Sequence, residues 1–319
     1  MIFFLPQGIG DSIWALHKVR DIAARLGNGR VSLRLSCGGG DAEIEGRAVH
    51  FLRRFDFVDD VSLLMAPIHP CGRVVEPDGF YRYLPDGPTA APAGCDWVLV
   101  PNAALERGVR LEDWLPEFRC DWGVMRHFQF RPNEEALADE LRERLGRYVV
   151  FYPGPLEGNT ICGHNRGMIW EPEHWQRLGK LLYERYGVQI IVVGAPYDMS
   201  YWTSFLARRV DPAYWQEFIG RWVIGQTYAV VKRAECCISY QSGIGIVASY
   251  LGVPTAIFWR AKGDSVRDDC LLHFEEAFKD AWVDPAMLAA GKHAGVVYGR
   301  PEASVEGIAE TIEQRGWVK

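Results

Sequence analysis

Apolar positions along this chain alternate between two patterns, short strand-like runs and longer stretches with helical spacing. Strand-like runs lie at 1–6 (MIFFLP), 31–36, 96–101, 148–152 (YVVFY), 189–193 (QIIVV), 236–240 (CCISY) and 255–258 (TAIF). Runs this short and this apolar, bounded by turn residues, read as strands covered on both faces, as in a parallel sheet. Between them, residues 12–26 carry Ile13, Leu16, Val19, Ile22, Ala23 and Leu26 on one helical face. Further helices are predicted at 42–55, 134–145, 171–186, 197–210, 226–234, 246–251 and 304–314. A helical turn is expected at 111–118, a short strand at 218–220 and a weak one at 61–65. Strands alternating with helices predict an α/β fold built from parallel βαβ units.

The pattern restarts at 148, so the chain reads as two halves with one plan, divided near 147. The helix at 134–145 is expected to close the first half. In the second half, 236–258 forms a strand, a turn at Gln241, Ser242, Gly243, Ile244 and Gly245, a helix, and a second strand after Gly252-Val253-Pro254. Such a turn aims free backbone N–H groups and the positive end of a helix dipole beyond the strand ends, which favours an anion such as a phosphate. It equally fits an ordinary strand-to-helix turn capped by Ser242. A second turn of the kind follows the first strand: Gln7-Gly8-Ile9-Gly10-Asp11. A dinucleotide fingerprint needs a third glycine where Ile13 stands, which argues against a nicotinamide cofactor. Asp11 has two readings, helix N-cap or general base, the latter because open α/β sheets place ligands at the carboxyl ends of their strands.

Composition narrows the function classes. At 319 residues, with 48% hydrophobic and 24% charged residues, the chain is long enough for two globular domains and shows no sign of disorder. Its net charge of −6 argues against a grip on long nucleic acid, which calls for a basic face. The N-terminal MIFFLPQGIGD has no basic region before its apolar run, and no stretch of about 18 apolar residues occurs, so a cytoplasmic protein is expected, with peripheral contact at an inner membrane left open. The eight cysteines are scattered without a CxxC pair and read as reduced. Cys162 and His164 lack a second ligand pair for zinc. No Asp-x-Asp motif is present to hold a divalent cation, so no metal is expected.

Several other positions carry chemistry. Gly154 follows the strand at 148–152. A polar loop at 157–170 holds Asn165 and Arg166, Asp198 opens the helix after Gly194-Ala195-Pro196, and Lys262 lies in a basic loop after the strand at 255–258. Trp170 and Trp175 read as core, and Asp198 reads first as a helix cap. Residues 56–95, rich in Pro, Gly and aromatics, read as loops that shape a site for a variable partner.

Six stretches in register, GIGDSIWALHKVRDI at 8–22, VVFYPGP at 149–155, WEPEHWQRLGKLL at 170–182, VVGAP at 192–196, QTYAVVKRAECCIS at 226–239 and QSGIGIVASYLGVPTAIF at 241–258, resemble the ADP-heptose:lipopolysaccharide heptosyltransferases, a family of bacterial GT-B glycosyltransferases. The resemblance implies two Rossmann-like domains with parallel sheets facing a central cleft. It implies an acceptor-binding domain at 1–147, a nucleotide-sugar-binding domain at 148–303, and a C-terminal helix at 304–319 packing back on the first domain. It also implies an inverting, metal-independent transfer of a sugar from a nucleotide-diphosphate donor to an acceptor hydroxyl, on a glycan or another molecule. Asp11 matches the family's proposed base, with Gln7, Gly8 and Gly10 in the acceptor-side turn. Gly154, Asn165, Arg166, Asp198, Gln241, Ser242, Gly243, Ile244 and Lys262 are the expected donor contacts. The family's central turn carries an aspartate and, three residues after the glycine, a histidine; Gln241 and Ile246 stand there, and Met168 replaces its usual lysine. Three alternatives stay in view: a transferase acting on a non-glycan acceptor such as a modified nucleobase, a GT-B epimerase, for which no obvious set of acid and base residues is seen, and a catalytically weak nucleotide-sugar-binding protein, which those departures allow.

Overall fold

The structure is a computed structural model describing residues 1–6, 8–36, 42–64, 73–75, 81–83, 94–101, 104, 109–154, 170, 172–198, 210–240, 242–259, 280 and 282–319. The chain divides into two compact units, one built on Met1–Gln129 and the other on Phe130–Asp268 with His273–Lys319.

In the first unit the strands are β1 (Ile2–Leu5), β2 (Val31–Ser36), β3 (Val58–Leu64) and β6 (Trp97–Val98), all parallel, in the order β3-β2-β1-β6. A separate antiparallel pair, β4 (Arg73–Val75) and β5 (Tyr81–Tyr83), falls inside the stretch read as loops. Helices α1 (Ile9–Leu26) and α2 (Ala42–Leu52) follow β1 and β2. The apolar face predicted for α1 is the buried one: Ile13, Leu16, Val19, Ile22 and Ala23 have no exposed surface, while Leu26 is exposed. Residues 111–118 form a series of turns instead of a helical turn, with Leu115 at a φ of 52°.

That segment is pinned to α1 by polar groups the periodicity does not reveal. Lys18, fully buried, donates from Nζ to the carbonyls of Phe118 at 2.9 Å and Glu112 at 3.1 Å. Burial lowers its pKa, an effect opposed by Cys120, Glu117, Asp113 and Asp21. His17 Nδ1 donates to the Asp121 carbonyl at 2.6 Å, and the Asp121 N–H donates back to the His17 carbonyl at 2.8 Å. Arg20 pairs with the Asp121 carboxylate at 2.8 Å.

Desolvation drives the His17 pKa from 6.5 down to about 4, against the raising effect of its bond to Asp121. Between those values the unfolded chain binds a proton that the native imidazole does not, so stability falls as the pH drops from 6.5 toward 4, by about 3 kcal/mol over the window. Urea unfolding at pH 7 and pH 4 is expected to show the gap between the wild type and His17→Asn shrinking by that amount; a gap that stays constant refutes the assignment.

In the second unit six parallel strands, β7 (Tyr148–Tyr152), β8 (Gln189–Val192), β9 (Trp215–Glu217), β10 (Cys237–Tyr240), β11 (Thr255–Trp259) and β12 (His293–Val297), run in the order β9-β8-β7-β10-β11-β12. Relative to its first strand that is 3-2-1-4-5-6, the doubly wound order of Rossmann folds. The strand expected at 218–220 is β9, three residues earlier. The ladder nevertheless continues past it, because Phe218 N–H donates to Val192 and Gly220 N–H to Gly194.

Among its described residues the helices are α3 (Pro132–Leu145), α4 (Pro172–Tyr186), α5 (Ile224–Lys232), α6 (Gly243–Tyr250), α7 (Pro285–Ala289) and α8 (Val305–Gln314). The division expected near 147 therefore falls earlier, at Gln129. α3 belongs with the second unit because it packs on α5, where Glu135 pairs with Lys232 at 3.1 Å and also with Arg233, and Arg142 pairs with Glu235 at 2.6 Å. The closing helix α8 likewise packs within its own unit. Its Ile308 and Ile312 join a core containing Trp175, Leu178 and Phe258, and Arg177 and Arg185 of α4 pair with Glu306 and Glu313. Of the helix expected at 197–210, only a single 3-10 turn, Pro196–Asp198, lies within the described residues.

Candidate functional site

Each sheet has one point at which the strand order reverses, and open α/β sheets bind ligands outside the carboxyl ends of the strands at such points. In the first unit the reversal lies between β1 and β6, and the chain leaving β1 there is Pro6 to Asp11. Gly8 is the N-cap of α1, so Asp11 occupies the third helical position and not the cap. Ser12 ties the turn shut, donating from Oγ to the Pro6 carbonyl at 2.9 Å and from N–H to the Gly8 carbonyl at 2.8 Å. The Asp11 carboxylate is half-exposed and folds back over Gly8: a Cβ on that glycine would stand 2.5 Å from Oδ2. A side chain at position 8 would therefore displace the carboxylate, which gives the first glycine of the turn its reason. The positive end of the α1 dipole favours the negative charge at this place.

In the second unit the reversal lies between β7 and β10. Two chain segments meet there, Tyr152-Pro153-Gly154 and Tyr240 to Gly245. Gly154 has a φ of 77°, and a Cβ on it would come within 2.9 Å of the Tyr240 ring, so both conformation and space call for glycine. The Tyr240 hydroxyl accepts from the Trp170 N–H, and the Trp170 indole donates to the Ala303 carbonyl at 2.7 Å. Ser242 caps α6 as predicted, its Oγ accepting from the Gly245 N–H at 3.3 Å and lying 3.0 Å from the Ser239 hydroxyl. Tyr228 donates to the Gly243 carbonyl at 3.2 Å and braces the turn from α5. The cap uses the Gly245 donor, while the N–H groups of Gly243 and Ile244 have no acceptor among the described residues. Two adjacent amides at a helix start, aimed past a strand end, suit an anionic oxygen.

Along the same sheet edge Asp198 is 1% exposed, and its Oδ2 accepts from the Ala195 N–H at 2.7 Å, so the carboxylate shapes the turn after β8. Just past β9 is a feature that the sequence reading did not single out. Phe218 and Trp222 stack at 4.2 Å between centroids with 15° between their planes, half-buried, beside exposed Arg221 and Val223. Val223, at 63% exposed, is an apolar side chain left in solvent at the rim of the sheet. The signal available was an aromatic pair four residues apart on either side of Gly220. Trp170 and Trp175 are core as read, in edge contact with each other at 5.1 Å and with Phe258. Gln7, Asn165, Arg166, Gln241 and Lys262 lie outside the described residues, as do Cys162 and His164. Cys236 and Cys237 are buried, and desolvation raises both thiols, Cys237 to about 12, so neither serves as a nucleophile.

No protein-family model matches the chain. No curated protein matches its sequence. Solved structures do match its fold. ADP-heptose lps heptosyltransferase II of E. coli superimposes with a TM-score of 0.58 at 15% identity, covering 98% of this chain and 97% of that one. A glycosyl transferase family 9 protein of Veillonella parvula gives 0.58 at 10% identity over 98% and 96%. The E. coli heptosyltransferase WaaC, solved with ADP, gives 0.53 at 14% identity over 99% and 98%. The chain has the heptosyltransferase fold. Within that fold, the two order reversals carry Asp11 in one unit and the Ser242 turn in the other. Among the described residues of this heptosyltransferase fold, no helix is long and apolar enough to cross a membrane, and no cluster of metal-ligating side chains occurs.

Proposed function

We propose that this protein is a glycosyltransferase that moves a sugar from a nucleotide-diphosphate donor to an acceptor hydroxyl, with inversion and without a bound metal. The observation that carries the reading is the pairing of chemistries at the two strand-order reversals, a half-exposed carboxylate in one unit and, in the other, two helix-start amides with no acceptor among the described residues. The acceptor hydroxyl gives its proton to Asp11, and its oxygen bonds to the anomeric carbon. The bond from that carbon to the diphosphate oxygen breaks, and the diphosphate leaves with the electron pair. One displacement of this kind inverts the anomeric centre.

The leaving charge is met by the Gly243 and Ile244 amides and the Ser242 hydroxyl, with Arg166 and Lys262 adding cationic help. Gly154 lets the backbone come close to the donor, and Asp198 holds the neighbouring turn. The Phe218–Trp222 stack is a flat apolar surface of the kind on which a nucleobase lies. One of the solved neighbours was obtained with ADP, which supports an adenine nucleotide as the first donor to try.

Calorimetric titration with ADP, UDP, GDP and CDP, then with their sugar conjugates, tests the proposal. Binding of at least one diphosphate is expected in the range of about 1 μM to 1 mM that enzymes use for substrates. Failure of every nucleotide to bind sinks the reading.

A further inference from the structure

β11 ends on a buried donor. Trp259 is 4% exposed, and its indole Nε1 is covered and has no acceptor among the described residues. An N–H taken out of water without a partner costs free energy on the scale of a lost hydrogen bond, so folded proteins keep few of them. The indoles of Trp175 and Trp215 share the condition, and both lie inside the core that α4 covers. Trp259 differs in where it stands.

In the parallel ladder Ser239 of β10 stands opposite Ile257 of β11, and Trp259 opposite Val297 of β12. The Trp259 carbonyl accepts from the Tyr298 N–H at 2.8 Å, so the backbone is still in the sheet at this point. Side chains alternate between the two faces of a strand, which puts Trp259 on the face of Ile257 and Ser239. That is the face on which α6 begins: a Cβ on Gly245 would stand 2.8 Å from Ser239 Oγ, which itself lies 3.0 Å from Ser242 Oγ. Two residues beyond the Ser239–Ile257 pair, β10 has given way to the turn into α6, while β11 still holds Trp259.

Two adjacent amides, those of Gly243 and Ile244, suit one phosphate. Neighbouring strands lie about 4.8 Å apart, so a donor on the next strand is placed for the second phosphate of the same ligand. We propose that the Trp259 indole N–H is that donor, a specificity-determining contact to a non-bridging oxygen of a diphosphate; this rests on the nucleotide-sugar reading above. Out of water, its bond to a charged oxygen is stronger than the same bond made at the surface. Nε1 has no exposed surface, so the phosphate reaches it by parting the cover above it.

The test uses the full-length protein and Trp259→Phe, which keeps an aromatic ring and loses the N–H. The probes are the nucleoside diphosphate that the wild type binds and the matching monophosphate. Trp259→Phe is expected to weaken the diphosphate by about tenfold to a hundredfold, the range of a bond to a charged oxygen, and the monophosphate by less than about twofold. A purely structural role would weaken both alike. In isotope-edited spectra of the indole N–H groups of the wild type, the resonance that Trp259→Phe lacks is expected to move downfield with the diphosphate and to stay in place with the monophosphate. Equal loss for the two nucleotides, unchanged affinity for both, or an indole resonance that ignores the diphosphate each overturns the assignment and leaves the nucleotide reading standing. A wild type that binds no nucleotide overturns both.

Discussion

Asp11→Asn is expected to lower kcat about a thousandfold while nucleotide affinity changes less than twofold. The size follows from the 10²- to 10⁴-fold contribution of a positioned general base. Asparagine has almost the same shape, so it keeps the fold of the turn and loses only the ability to take a proton. The affinity stays because the proposed diphosphate seat is in the other unit, at Ser242, Gly243 and Ile244. Gly8→Ala provides a second, independent route to the same result. Its Cβ would stand 2.5 Å from the present position of Oδ2, so the carboxylate must move while its chemistry is intact. A fall in kcat for both variants, measured by release of nucleoside diphosphate with a competent acceptor, places the base at that oxygen. Full turnover by Asp11→Asn refutes the assignment and leaves the chain a nucleotide-sugar binder or a transferase with another base.

The fold was most legible where burial on both faces leaves a continuous apolar run. YVVFY is wholly buried as β7, the central strand of its sheet, and CISY and TAIFW behave likewise. β12 was missed because HAGVV holds two small residues and a histidine, and its strand character comes from pairing with β11 at one edge of the sheet. β9 was misplaced for a related reason. Trp-Gln-Glu has no strand signature until Ile190 to Val192 pairs with it. For α3 the periodicity was right and the partner was not, since a helical stripe does not say which element covers it; the ion pairs to Lys232, Arg233 and Glu235 decide that.

The two candidate turns were legible for a different reason. A glycine or a serine in a strand-to-helix turn has few other uses, so Gly8, Gly154 and Ser242 announce backbone requirements by their residue type alone. Asp11 lies one turn inside the helix and not at its cap, because α1 starts at Ile9 with Gly8 as its N-cap, earlier than the apolar spacing from Ile13 onward announces. Buried polar residues were the least legible. His17 and Lys18 fall in a helical pattern like any surface pair, and their burial depends on carbonyls about a hundred residues away in sequence. The Phe218–Trp222 stack hid in the same way, since aromatics four residues apart are most often core.

Gly245→Ala is expected to destabilise the second unit by about 1–3 kcal/mol and to weaken nucleotide binding at least tenfold. A Cβ at 245 would lie 2.8 Å from Ser239 Oγ and 2.9 Å from Ser239 Cβ. The hydroxyl can swing aside, but Ser239 Cβ is fixed to the buried strand β10, so α6 itself must shift away from the sheet. Overpacking of this kind costs about 1–3 kcal/mol in a closed core. The shift also breaks the geometry at the start of α6, where the Gly245 N–H bonds Ser242 Oγ at 3.3 Å and the Gly243 and Ile244 amides are aimed. Stability and affinity should therefore fall together, whereas Ser242→Ala, which removes the cap and one hydroxyl contact without moving the helix, should cost about 1 kcal/mol of stability and only about fivefold in affinity. Chemical unfolding and calorimetry on the two variants separate the outcomes. If Gly245→Ala loses stability yet binds nucleotide as the wild type does, the amides at the start of α6 are not the diphosphate seat.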